Sequence, residues 1–445
     1  MNTATAPAPG ILWSRSIGWL LFLGPFFFLS YGFANTMAAR WQVSNTLVYE
    51  WERHIPFVPW TILPYWSIDL FYGLSFLLCR SALQVDRHAL RLLTAQLLSV
   101  ACFLAFPLRF SFPRPDADGL FGQLFDALAG FDLPYNQAPS LHISLLIIIW
   151  VRFAGATRGP LRWGVDAWAA LIAVSVLTTY QHHFIDIPSG ALVGLLCLWL
   201  WPDKGPTPFS AARWTDVPAR RRLAGRYLCA ALAAAGLGLL LGGGGLVWVW
   251  LGIALALVAL NYALLGPAGF QKHDGRHALG AALLLAPYTL CAWINSRLWT
   301  RRSPAPGLIA DGVWLGRLPD SRAMEAGGFK ALLDLTAELP APRGPWAYAQ
   351  LPWLDLVPPD STQLEEAATA IEHLRRHGPV LVCCALGYSR SASAVAAWLL
   401  ATGRANSVES ALAILQRARP RVVLSPQHRH ALARISPPPE YSGGA

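Results

Sequence analysis

Apolar runs as long as a bilayer is thick fill the chain as far as residue 300, and no other feature so narrows what it can fold into. Six of them lie at 16–37, 59–79, 90–107, 139–156, 163–181 and 186–201. Each is near the ~20 residues a helix needs to cross the hydrocarbon core. A further hairpin occupies 226–266, split by Gly242 to Gly245. A last, shorter run at 278–295 contains Pro287 and either crosses or lies in the interface. Beyond it "SPAPG" at 303–307 reads as a linker. The remainder is an ordinary globular mixture.

Only 13% of the residues are charged, whereas a soluble domain carries about 25%. The composition is therefore that of a membrane protein, and it divides three ways. Residues 1–205 form a six-helix core, 206–302 add membrane helices and a linker, and 303–445 form a domain long enough to bury its own core. The net charge of +10 sits mostly in short loops. That is the pattern of basic loops at a cytoplasmic membrane face, so membrane lipids and not nucleic acid are the expected partners. The rule puts Arg80, Arg87, Arg91, Arg152, Arg158, Arg162 and the run from Lys204 to Arg222 in the cytoplasm. The loops at 38–58, 108–138 and around 182 then face the other side.

Five of the seven cysteines are scattered singly through apolar segments, with no metal-ligand or disulfide spacing, so neither metal nor cofactor is expected. Cys383 and Cys384 differ. They end the apolar, β-branched "VLVC", which reads as a buried strand, and "SASAVAAWLLA" beyond them reads as a helix. Between strand and helix, Cys384 and Arg390 stand six apart with Gly387 in the turn. Backbone N–H groups of such a loop converge on an anion, and the helix dipole assists. A cysteine placed in that field is favoured as thiolate. Arg390 offers a fork for phosphate oxygens, and Ser389 and Ser391 offer hydroxyls.

This segment resembles the cysteine-dependent dual-specificity phosphatases over 308–435, with "DGVWLGRLP" and "ALLDLTAELP" similar to the family's opening strands. The resemblance implies a soluble α/β phosphatase domain in which Cys384 forms a phosphocysteine, Arg390 binds the phosphoryl group and Ser391 aids departure of the thiolate. A general acid is also needed, because an alkoxide leaves poorly without a proton. Asp355 in "LPWLDLVPPD" is the expected acid and Asp360 the alternative. Cys383 stands where the family has histidine, which weakens support for the thiolate or sets up a vicinal disulfide.

Two further motifs lie at the ends of apolar runs. "QAPSLHISLL" carries Ser140 and His142, and "TTYQHHFIDIPSGALVG" carries His182 four residues before Asp186. Four-residue spacing puts that pair on one helical face, so the carboxylate can orient an imidazole that attacks phosphorus. His142 can then protonate the leaving oxygen. The pair resembles the type 2 phosphatidic acid phosphatase superfamily, whose six-helix core would cover 16–201. The likeness implies His182 as nucleophile (His183 as the alternative), Asp186 as its partner, His142 as general acid and Ser140 on the phosphate. Arg114-Pro115 matches the first motif, but Pro107 stands at its lysine, for which Arg109 substitutes. This loss is similar to the inositol-phosphoceramide and sphingomyelin synthase branch.

The expectation is a bifunctional protein of a bacterial inner membrane acting on phosphorylated lipids. The histidine site would face away from the cytoplasm, and the thiol site would lie within it, where thiols stay reduced. The competing readings make the C-terminal domain a phosphoprotein phosphatase or a phosphate-binding module, with the membrane part as anchor.

Overall fold

A computed structural model describes residues 9–435, and the chain divides into two compact units, Met1–Phe209 and Ser210–Ala445. The first unit is helical throughout, with α1 (Pro9–Arg40), α2 (Ile62–Ser75), α3 (Ala82–Ala105), α4 (Gly119–Ala129), α5 (Leu141–Ala156), α6 (Gly159–Thr178) and α7 (Asp186–Leu200). The six expected apolar helices are all present, with shifted ends. α3 starts at Ala82 and not near 90, because Ser81 Oγ accepts from the Gln84 amide at 3.2 Å and caps it. The segment at 108–138, read as a loop, contains α4, which buries Phe125 and Leu128.

The contact between α5 and α7 sets the geometry of this unit. A Cβ on Gly190 would stand 2.4 Å from the Ser140 carbonyl oxygen, and one on Gly194 2.9 Å from that of Ser144. Two glycines four apart thus let the helices approach backbone to backbone, as small residues do between helices in lipid. Ser144 Oγ closes the seam by donating to the Gly190 carbonyl at 2.9 Å. At the opposite end of the bundle, Arg91 and Arg152 both reach Asp203, at 3.1 and 3.0 Å.

After the short α8 (Pro208–Ala211), the second unit opens with α9 (Pro218–Leu241) and α10 (Leu246–Leu260), joined through Gly242 at φ +63°. They form a hairpin packed on small residues: Gly252 faces Ala231 and Ala235, and Gly238 faces Gly245. Leu239, Leu240 and Val247 stand exposed on it. Among the described residues, five helical runs are long and apolar enough to cross a membrane: Leu12–Arg40, Pro59–Leu78, Ala82–Ala105, Gly159–Thr178 and Pro218–Phe270, the last being this hairpin; α5 and α7 are shorter apolar helices.

A π-helical turn (Asn261–Leu265) leads to a small hairpin, β1 (Lys272–His273) with β2 (Arg276–His277), then to α11 (Leu279–Leu284) and α12 (Ala286–Thr300). The break between the last two falls at Leu285, just before Pro287. Four hydrogen bonds among the described residues fasten α12 to the α/β domain on its C-terminal side: Ser296 Oγ donates to the Ala385 carbonyl, Arg297 to that of Leu318 at 3.0 Å, Arg317 to Thr300 Oγ1 at 2.6 Å, and Arg421 to the Trp299 carbonyl at 3.1 Å.

That α/β domain is built on β3 (Gly307–Ala310), β4 (Val313–Arg317), β5 (Ala331–Thr336), β6 (Ala347–Trp353) and β7 (Val380–Cys384), in the order β3-β4-β7-β5-β6. β3 runs antiparallel to β4, and the other neighbours are parallel. With neighbours on both sides, β7 is buried at every residue, which is why its sequence is a continuous apolar run. α13 (Ser321–Ala326), α14 (Ser361–Leu374), α15 (Arg390–Ala401), α16 (Val408–Ala418) and α17 (Pro426–Leu432) complete it. Val382 and Cys384 pack with α14, α15 and α16, while Leu381 and Cys383 pack with Met324 and Phe329 on the other face.

This domain does not close on itself at residue 303. Asp334, in the middle of β5 and fully buried, meets Lys272 of β1 at 2.5 Å. The same ammonium donates to the Thr336 carbonyl and hydroxyl at 2.8 and 3.0 Å. Tyr348 donates to Asp334 at 3.0 Å. The segment before the linker therefore supplies the charge that a core carboxylate requires.

Candidate functional site

The loop between β7 and α15 folds around a sulfur atom. Cys384 Sγ accepts from the Gly387 amide and from Ser391 Oγ, both at 3.2 Å. Gly387 has φ +76°, and a Cβ there would lie 2.4 Å from the Gly316 carbonyl carbon, so only glycine lets the loop turn against β4. Ser391, in the first turn of α15, is fully buried. Ser389 is engaged elsewhere, 3.1 Å from His428 Nε2, and does not join the sulfur. Cys383 and Cys384 lie on opposite faces of the strand, and the two remain free thiols. That alternation argues against a vicinal disulfide.

Arg390 enters from the helix and is gripped from beneath. Its Nη1 and Nη2 fork onto Glu338 at 2.9 and 2.6 Å, and Nη1 also donates to the Trp353 carbonyl at 2.9 Å. Its Nε, buried, is without a hydrogen-bond partner among the described residues. Burial alone would raise the Glu338 carboxyl, but the charge and hydrogen bonds of Arg390 hold it below its usual range. Sequence reasoning passes over Glu338, although it lies within "ALLDLTAELP". An acid just beyond a buried strand is the one signal that could have found it.

Asp355 reaches the same guanidinium, with Oδ1 3.1 Å from Arg390 Nη2. Its carboxyl is pushed above the usual range, chiefly by burial; Arg390 opposes this and Glu338 adds to it. A raised carboxyl beside the phosphate cradle is what a proton donor needs. The alternative, Asp360, caps α14 by accepting from the Gln363 amide at 2.8 Å and is committed to that role.

Residues 313–436 match the family described as "Dual specificity phosphatase, catalytic domain". The second unit carries a dual-specificity phosphatase domain. No curated protein matches the chain. Among solved structures, a mouse putative dual specificity phosphatase complexed with zinc tungstate is 25% identical, with 30% of this chain and 87% of that one covered at a TM-score of 0.27. Tk-PTP in its active form is 29% identical over 30% of this chain and 97% of its own, at a TM-score of 0.28. PTPMT1 in complex with PI(5)P is 19% identical over 28% and 91%, at a TM-score of 0.26. The phosphatase match thus accounts for the thiol loop and its arginine and leaves the helical segments aside.

The first unit gathers its own cluster. His182 Nδ1 lies 3.1 Å from Asp186 Oδ2, both buried, and the same oxygen accepts from the His183 amide at 3.0 Å. His182 lines two cavities, of 640 and 190 Å³. The larger is also lined by Arg109 and Arg114, whose guanidinium lies 4.9 Å from the Phe125 ring centroid. The smaller holds His142, stacked on Tyr65 at 4.1 Å. Tyr31 and Asp132 line both, and Tyr31 donates to Asp132 at 2.9 Å.

Ser140 is not brought to either cavity. It is fully buried and caps α5, accepting from the Ile143 amide at 3.3 Å. His183 is tied down at both nitrogens, by Glu52 at 3.1 Å and Ser111 Oγ at 3.0 Å, so His182 is the imidazole left facing the cavities. Sequence reasoning does not single out Glu52, Asp132 or Tyr31, because their partners lie far away along the chain.

Proposed function

We propose that the phosphatase domain hydrolyses phosphomonoester head groups of membrane lipids, with Cys384 as nucleophile. The observation that carries the chemistry is Cys384 Sγ held by the Gly387 amide and Ser391 hydroxyl beside a buried arginine whose Nε is unspent. The thiolate attacks phosphorus as the P–O bond to the leaving alcohol breaks. Loop N–H groups and Arg390 hold the non-bridging oxygens, and Asp355 hands its proton to the departing oxygen. Water then attacks the phosphocysteine and returns a proton to Asp355. Phosphate leaves, and Ser391 Oγ hydrogen-bonds the released thiolate. The lipid class is supported by the apolar hairpin of α9 and α10, which belongs to the same compact unit. α12 is supported as an interfacial helix by its exposed Leu290, Trp293, Ile294, Leu298 and Trp299, on a helix that hydrogen bonds tie to this domain. Turnover of a phosphorylated lipid in vesicles by the full chain, lost in Cys384→Ser, tests the reading.

A second activity is favoured by one observation, the His182–Asp186 pair opening on cavities that also present His142, Arg109 and Arg114. In this proposal His182 attacks a lipid phosphoester, Asp186 orients it, His142 protonates the leaving oxygen, and the arginines hold the phosphate. Acceptance of the phosphoryl-bearing group by an alcohol or by water makes it a transferase or a phosphatase. Thin-layer analysis of labelled lipid with His182→Ala against the parent protein distinguishes activity from a scaffold.

A further inference from the structure

The turn carrying the general acid is strained, and from within the domain it is held through the Asp355 carboxylate, which meets Arg390 and the Leu356 amide. Leu356, next to Asp355, has φ +58°, a left-handed conformation that is strained for a non-glycine residue. Its side chain is 68% exposed, so packing does not hold it there. One group does reach this peptide from outside the phosphatase domain. Tyr262, in the π-helical turn after α10 and 1% exposed, donates its hydroxyl to the Asp355 carbonyl at 2.9 Å. Tyr262 is itself fixed from the hairpin. Arg220 of α9 donates to its carbonyl at 3.0 Å, and its ring lies 5.3 Å from that of Tyr227, also in α9.

We infer that Tyr262 is a positioning residue that holds the Asp355–Leu356 peptide so that the Asp355 carboxyl stays over Arg390. The inference rests on Asp355 being the general acid. The hydrogen bond fixes the orientation of the peptide that leads out of Asp355, whose rotation would carry that carboxyl away from Arg390. Because Tyr262 follows directly from α10 and is braced by α9, proton delivery depends on the hairpin as well as on the phosphatase domain. The helical segment is then a working part of this site.

The test uses the full chain in detergent, with p-nitrophenyl phosphate and an alkyl phosphomonoester as paired substrates. Tyr262→Phe keeps the ring and removes the donor. It should lower kcat on the alkyl substrate about tenfold, a fraction of the 10²–10⁴ that general acid–base catalysis supplies. On the aryl substrate, whose leaving group needs no proton, the change should stay within about twofold. Leu356→Asn in the Tyr262→Phe background should recover part of the loss, since asparagine tolerates positive φ. Equal losses on both substrates, no loss on either, or no recovery with Leu356→Asn would each overturn the assignment. Asp355→Asn separates the two claims. If it too shows no leaving-group dependence, the acid role falls and this inference with it. If it shows that dependence and Tyr262→Phe does not, the inference alone falls.

Discussion

Cys384 and Arg390 meet because a strand ends and a helix begins between them, and Gly387 makes the turn. Gly387→Ala places a Cβ 2.4 Å from a backbone carbon that cannot give way, so the loop must deform. Aryl phosphate turnover should fall at least a hundredfold, about the cost of removing one preorganised donor group. Arg390→Lys should cripple it too, because a point charge cannot both fork onto Glu338 and offer a further N–H to phosphate. For Asp355 the sign comes from its raised carboxyl: the acid form survives to higher pH than in an ordinary aspartate. Turnover of an alkyl phosphate should therefore fall as pH rises through that raised value, and the limb should vanish in Asp355→Asn. A pH profile of kcat for the two proteins checks this. That Cys384, Arg390 and Asp355 belong to one site was legible in sequence, since one loop and one short motif carry them. Glu338 was not, because nothing local in its stretch says which cation it pairs with.

Lys272 and Asp334 show why element boundaries drawn from composition fall short. A charged residue in the buried strand "ALLDLT" demands a partner, yet that partner lies 62 positions earlier, on a two-residue strand with no periodicity to betray it. Lys272→Met leaves Asp334 buried and uncompensated and should cost about 3–5 kcal/mol, read as a drop in the unfolding temperature of the full chain. Adding Asp334→Asn keeps hydrogen bonds for Thr336 and Tyr348 and should return much of that loss. The long apolar helices were legible because length and hydropathy suffice to find them. Their ends were less so, because caps such as Ser81 lie in polar stretches outside the apolar window. The same holds for α5 and α7, where Gly190 and Gly194 read only as small residues until Ser140 and Ser144 stand opposite them. Gly190→Leu should separate these helices and abolish any His182-dependent lipid turnover, while aryl phosphate hydrolysis persists.

The chain as a whole joins a helical unit bearing a histidine cluster to a second unit in which apolar helices and a phosphatase domain are built together. A fragment starting at residue 303 would lack Lys272, Ser296 and Thr300, so it should be insoluble or unfolded, whereas one starting at Ser210 should fold in detergent; circular dichroism with thermal melting compares them. The two proposed chemistries should be separable, with His182→Ala sparing thiol-dependent hydrolysis and Cys384→Ser sparing the histidine site. What decides the account is whether phosphorus becomes bound to Cys384. Full-length protein should be mixed with p-nitrophenyl phosphate, quenched in acid, digested and analysed by mass spectrometry. A phosphate on the peptide containing Cys384, absent from Cys384→Ser, is the predicted result. Continued turnover by the Cys384→Ser protein, or turnover with Cys384 never labelled, would contradict it.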